Sequence, residues 1–277
     1  MADNEEREFT FTLHGLDVDD GKVRANIFLS EFKTLLDALV LSDKEQNKRQ
    51  RHEYVILTLE ASSALATLRE TRAIDRRRLR ARRPRLETPA ASSVQFFSTA
   101  IQAIYNGDKE TRHLPKRLVA SVRALAKDAG TRFTHGEIAF AADNVIRIDD
   151  YLLRQADRAI LRISGEEIQE RYFAGLAFGT FDGVLKEVDA RGTLVRGKLI
   201  LTAGGKELDC VIRKDDIPQV RETFDLRARV EGLAHYDGDS PLPARLDVKR
   251  ITPVNNDADL TKWKGAFVRP STPVDED

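Results

Sequence analysis

The sequence contains little of what disulfide-bonded, cysteine-rich or membrane-spanning proteins need. Its 277 residues include one cysteine, Cys210, so no intrachain disulfide can form. One cysteine also cannot build a cysteine-rich zinc centre. No run of about 18 apolar residues occurs, and the acidic N-terminus lacks the basic and apolar regions of a signal peptide. We therefore expect a cytoplasmic protein without a membrane span.

The chain also lacks an excess of charge of either sign. Its 45 basic and 45 acidic residues give a formal net charge of zero. This balance argues against a protein covered in positive potential, but it leaves room for a local basic patch. The length fits one large domain or two ordinary ones.

Familiar catalytic motifs are absent. We find no phosphate-binding P-loop, no G-x-G-x-x-G and no G-x-S-x-G. The histidines are scattered and form no H-x-x-x-H pair (His14, His52, His113, His135 and His235). The sequence therefore predicts no cofactor and no metal, and it favours a protein that is not an enzyme. A site assembled from residues far apart in sequence is the remaining enzymatic alternative.

The first 165 residues predict a mixture of strands and helices. Residues 9–13 alternate apolar and polar side chains like a half-buried strand, and residues 54–59 resemble a buried strand. Helices are predicted from about Ser30, from Thr88–Pro89 and from Pro115. A strand pair is expected within residues 133–148, followed by a helix capped by Asp149 or Asp150.

Five strands with one short helix are predicted between Gly179 and Val254. The expected strands cover about 180–188, 194–202, 207–213, 226–236 and 244–251, and the helix lies between the third and fourth. This order resembles the OB-fold, a five-stranded Greek-key barrel whose members bind oligonucleotides and oligosaccharides. SH3-like and other small barrels are alternatives.

We therefore predict an α+β protein whose N-terminal α+β domain precedes a small five-stranded OB-like (Greek-key) β-barrel. The α+β domain covers residues 8–165, the barrel 174–254, and a polar tail 255–277. The chain also resembles a group of bacterial proteins of unknown function with a V-x-G…Y…P pattern in the barrel. Here that pattern is Val230, Gly232, Tyr236 and Pro241. This resemblance implies no activity.

An arginine-rich segment, residues 69–87, carries the clearest binding signal. It holds nine arginines against three acids, a net charge of +6 (nine minus three). Clustered arginines neutralise phosphates and release counterions. A solvated connector, or a strip that docks on acidic residues of this chain or of a partner, explains the same run. The candidate nucleic-acid contacts are Arg76, Arg77, Arg78, Arg80, Arg82, Arg83 and Arg85.

The barrel adds three weaker candidates. Arg196 and Lys198 fall on the outer face of the second strand, but Glu207 and Asp209 face them across the third strand, which favours a solvated, charge-paired surface. Tyr236 lies where the fourth strand meets its loop, either as a stacking platform or packed over the barrel end.

Two functions follow from these patterns. The first is a non-enzymatic protein that contacts DNA or RNA through the arginines and the barrel. The alternative is a protein-interaction or assembly module of a multi-component bacterial system, of the defence or toxin–antitoxin type, that binds an acidic partner or itself.

Overall fold

The computed structural model describes residues 8–60, 64–73, 90–141, 144–166 and 171–254. Helices α1 to α5 span Ala25–Asn47, Ser93–Asn106, Lys116–Ala126, Asp150–Ser164 and Ile217–Thr223. Strands β1 to β10 span Glu8–His14, His52–Glu60, Leu65–Arg72, His135–Ala141, Asn144–Ile148, Ala174–Asp189, Leu194–Leu201, Glu207–Arg213, Arg227–Asp237 and Arg245–Pro253. The fold is therefore the mixed α+β arrangement that the sequence predicts.

The N-terminal part is an antiparallel sheet with helices on one face. Its strand order is β2-β3-β1-β4-β5. Phe9, Phe11 and Leu13 alternate inward from β1 and join a core with residues of α1 to α4. Because successive side chains of a strand point to opposite faces, the even-numbered residues of β1, including His14, lie on the face away from this core.

Two helices begin elsewhere than predicted. Helix α1 starts at Ala25 because the buried Ile27 and Phe28 extend its apolar stripe, and the expected cap Ser30 lies exposed inside the helix. Helix α2 starts after Ser92, whose side chain accepts a hydrogen bond from the N–H of Gln95. Thr88 and Pro89, the predicted start, lie outside the described residues.

Strand β2 exists, but the expectation that it is buried is wrong. It lies at the edge of the sheet and pairs with β3 on one side. Four of its apolar side chains are exposed, with Leu59 at 62% (Val55, Ile56, Leu57 and Leu59). An edge strand has neighbours on one side only, so apolar composition alone does not bury it.

The C-terminal part is a closed barrel with strand order β6-β7-β8-β10-β9. Strand β10 pairs parallel to β8, the other pairings are antiparallel, and α5 lies between β8 and β9. This order and helix position agree with the predicted OB-like topology. Gly183 is required where β6 pairs with β7, because a Cβ there would lie 2.3 Å from the Ile200 carbonyl oxygen.

Candidate functional site

A buried polar contact, here called the seam, joins the N-terminal part to the barrel. It consists of Tyr105 from α2, Asp149 and Tyr151 at the start of α4, and three residues of β9 and β10 (His235, Arg245 and Asp247). At its centre, Arg245 donates to Asp149, and its guanidinium lies 4.3 Å from the centroid of the Tyr151 ring. His235 Nε2 lies 2.8 Å from Asp247 Oδ2.

Asp149 has two roles in the seam. Its Oδ1 caps α4 by accepting hydrogen bonds from the N–H groups of Tyr151 and Leu152, at 3.1 and 3.2 Å, as the sequence predicts. Its Oδ2 faces Arg245 and lies 3.2 Å from Arg147 Nε. Burial alone would raise the pKa of Asp149, but the two arginines lower it below its ordinary value. Asp149 therefore remains ionised and holds the two parts together.

A second contact involves the loop between β6 and β7, residues 190–193. Glu137 of β4 accepts hydrogen bonds from the backbone N–H groups of Thr193 and Leu194, at 2.8 and 3.1 Å. Arg191 forms ion pairs with Asp189 at the end of β6 and with Asp17 of the N-terminal part. In OB-folds the corresponding loop contributes to ligand binding, and here it is anchored to the sheet.

A basic cleft of about 410 Å³ opens beside the seam. One wall comes from α2 and β5, and the other comes from the ends of β7, β8 and β10. Three exposed cations line it: Arg213, Lys214 and Lys249. Within the described residues, none of the three has an ion pair within 4.0 Å. Asp215 and Asp247 also line the cleft, and Asp247 is already engaged by His235.

A histidine cluster lies on the sheet face opposite the N-terminal core. His14 and His135 are directly paired across β1 and β4, and Glu137 follows two residues after His135 on the same face. Their ligand-type atoms all lie within 4.8 Å of one another. The sequence analysis missed this cluster because 121 positions separate His14 from His135. The H-G-E alternation at 135–137 was the only local signal.

The predicted barrel residues lie where the alternation placed them, but their charges are paired. Arg196 Nη2 lies 2.9 Å from Asp209 Oδ2, and Lys198 Nζ lies 3.2 and 3.4 Å from Glu187 and Glu207 carboxylate oxygens. Tyr236 is partly buried against the barrel core, with its ring centroid 5.4 Å from that of Phe173. These three residues do not meet the cations of the cleft in one site.

The arginine-rich segment lies mostly outside the described residues. Arg76, Arg77, Arg78, Arg80, Arg82, Arg83 and Arg85 lie outside the described residues. The described beginning of the segment belongs to β3, where Arg69 pairs with Glu8. Nucleic-acid binding by the seven arginines therefore stays a prediction.

Within the described residues, no helix is both long and apolar enough to cross a membrane. Comparisons of this chain with models of protein families, with curated proteins and with solved structures found no match.

Proposed function

We propose that this protein binds single-stranded nucleic acid in the basic cleft between its two parts. One observation carries the proposal: Arg213, Lys214 and Lys249 line the cleft without ion pairs in the described structure. Unpaired cations that converge on a concave surface attract a polyanion, because each phosphate they neutralise releases a counterion. The OB-like strand order supports the same class of ligand.

The cleft favours contact with phosphates over stacking with bases. Among the described residues, Tyr105 is the one aromatic residue that lines it, and its ring is buried in the seam. Arg229 and Arg250 line a neighbouring groove on the outer face of β9 and β10. Glu231 lines the same groove, and Arg250 follows Lys249 directly in the sequence of β10. The binding we propose is therefore salt-dependent and weakly selective for sequence.

The test is titration of the full chain into fluorescently labelled 30-nucleotide DNA and RNA, read by anisotropy at low salt. The triple variant Arg213→Gln, Lys214→Gln, Lys249→Gln should weaken binding by at least tenfold. The matched control replaces three cations that have carboxylate partners, Lys186, Arg196 and Lys198, by Gln. Wild-type affinity in the cleft variant, or no retention by the wild type, would overturn the proposal.

A further variant separates the cleft from the arginine-rich segment. Replacement of Arg76, Arg77, Arg78, Arg80, Arg82 and Arg83 by Gln leaves every described contact intact. If this change abolishes binding while the cleft variant binds normally, the arginines carry the function and the cleft does not. Losses in both variants indicate one extended path.

A second candidate function, self-association, is favoured by the exposed edge strand β2. Within the described residues, its outer backbone edge pairs with no strand, and this edge and its four exposed apolar side chains offer a template for adding another strand. Light scattering coupled to size exclusion would then show a dimer that Ile56→Lys with Leu59→Lys converts to a monomer. Val18→Lys, which replaces an exposed apolar residue outside any strand, is the control. A monomeric wild type would exclude this function.

A further inference from the structure

Three histidines are almost completely buried in the described structure, and one differs from the other two. His52 Nδ1 lies 2.9 Å from Asp43 Oδ1, and His235 Nε2 lies 2.8 Å from Asp247 Oδ2. His135 is fully buried, yet both of its ring nitrogens lack a hydrogen-bond partner. His14 Nε2 beside it is also buried without a partner. Buried polar atoms without partners are costly and call for an explanation.

The surroundings of the two rings favour their neutral form. Burial, together with the nearby Arg147 and His14, lowers the pKa of His135 to about 2. Burial also lowers the pKa of His14. A neutral imidazole offers a lone pair, which is the form that binds metal ions. Neither ring would therefore have to release a proton before it binds a metal ion.

Glu137 completes the donor set. It is 2% exposed, and its Oε1 lies 3.9 Å from His135 Nε2. No lysine or arginine of the described structure lies within 4.0 Å of its carboxylate. Arg147, its register partner on β5, interacts with it at longer range and pairs with Asp149. Glu137 accepts hydrogen bonds from two backbone N–H groups, and both of its oxygens keep further lone pairs. A bound cation would balance this buried negative charge.

We propose that His14, His135 and Glu137 form a binding site for a divalent transition-metal ion, with Zn²⁺ as the expected occupant. Two imidazoles and one carboxylate are a common zinc donor set, and in a tetrahedral site such atoms lie about 3.4 Å apart. The present separations of up to 4.8 Å therefore close with movements of about 1 Å. The two rings are inclined by only 22°, so the half-buried His14 ring must rotate to direct its lone pair at the ion.

The backbone of the loop leaves room beside two of the donors. Gly192 has a φ of +90°, and a Cβ at that position would lie 2.5 Å from Glu137 Oε1 and 2.8 Å from His14 Nε2. Glycine therefore keeps a side chain away from the donor atoms, and it adopts this φ without the strain that other residues incur. Because Glu137 also holds the N–H groups of Thr193 and Leu194, which line the cleft, the ion would anchor one wall of the proposed nucleic-acid site.

Metal binding to the full chain tests the proposal. The chain, stripped with a chelator and dialysed, is titrated with Co²⁺ and then Zn²⁺. We expect one Co²⁺ per chain with visible d–d absorption that Zn²⁺ displaces, and a higher unfolding temperature with Zn²⁺. His135→Gln and His14→Gln should each weaken binding at least 100-fold. The control His113→Gln removes an exposed histidine of another region and should bind normally.

Two outcomes would overturn the site. One is an equal loss in His113→Gln and His135→Gln, which would indicate binding by surface histidines. The other is X-ray absorption of the zinc-loaded wild type without two imidazole ligands. The absorption measurement uses the unaltered protein, so it decides the question even where a variant fails to fold. Neither measurement depends on nucleic-acid binding.

Discussion

The seam and the cleft adjoin, since Tyr105 and Asp247 belong to both, yet they use basic residues in opposite ways. Arg245 is buried in the seam against a carboxylate and two tyrosine rings. Arg213, Lys214 and Lys249 are exposed in the cleft without ion pairs in the described structure. Whether a cation has a structural role or a binding role therefore depends on its partner in the fold, and not on its presence in the sequence.

Removal of the seam cation should have the largest effect. Arg245→Gln leaves the buried Asp149 with Arg147 as its remaining ion-pair partner in the described structure, and removal of one partner of a buried ion pair costs about 3–5 kcal/mol. Urea unfolding should show this loss of unfolding free energy. Arg213→Gln in the cleft should stay within about 0.5 kcal/mol of the wild type. Equal losses in the two variants would mean that the cleft cation is structural as well.

A buried carboxylate, Glu31, has no ion pair within 4.0 Å in the described structure and extends the comparison. Burial and the nearby Asp128 raise the pKa of Glu31 to about 7, whereas Asp149 is held ionised. The folded state then retains a proton that the unfolded state has lost, between the ordinary pKa of about 4.5 and 7. The contribution of Glu31 to stability should therefore be fully present below about pH 4.5 and be lost as the pH rises toward 7, at up to about 1.4 kcal/mol per pH unit.

Glu31→Gln should remove this pH dependence, because glutamine stays neutral in both states. The unfolding free energies of the wild type and of Glu31→Gln are measured in urea at several pH values. Their difference isolates Glu31, because all histidines are common to both proteins. A constant difference across this range would show that Glu31 ionises normally.

Salt dependence should distinguish the cleft cations from the paired cations. Each phosphate contact with a single strand contributes about 0.7 to the slope of log affinity against log salt. Loss of Arg213, Lys214 and Lys249 should therefore reduce that slope by about 2. The Lys186, Arg196 and Lys198 variant should keep the wild-type slope, and a reduction there would place the contacts on the β7–β8 face.

The smallest effect should come from releasing the paired cations. Asp209→Asn with Glu207→Gln leaves Arg196 without its carboxylate and Lys198 with Glu187 alone, so nucleic-acid binding should tighten by about two- to fivefold. Exposed ion pairs contribute about 0.2–1 kcal/mol, so stability should change little. Asp37→Asn with Glu53→Gln makes the same charge change elsewhere, and an equal gain there would indicate net charge alone.

The sequence could predict those parts of the fold that local patterns determine. Alternation along residues 194–201 and 207–213 assigned the inward residues of β7 and β8, including Cys210, whose burial raises the thiol pKa. Asp149 or Asp150 was recognisable as a helix cap because a cap bonds to its own chain two and three residues later, and the structure selects Asp149.

The same patterns could not predict the seam, the cleft or the histidine cluster. The other role of Asp149 depends on Arg245, 96 positions away, and no local period connects them. Exposure of β2 depends on its place at the sheet edge, which its apolar sequence does not encode. Alternation did predict the acidic neighbours of Arg196 and Lys198, but no local pattern marked Arg213 and Lys249 as residues of one cleft.

Strand β10 has a consequence for the order in which the molecule can fold. It lies between β8 and β9 in the ring and carries Arg245, so both the barrel and the seam are completed by residues 245–253. During synthesis, Asp149 and Tyr105 leave the ribosome 96 and 140 residues before Arg245. The N-terminal sheet must persist with an unfinished surface until then, and contacts of such long sequence separation form slowly.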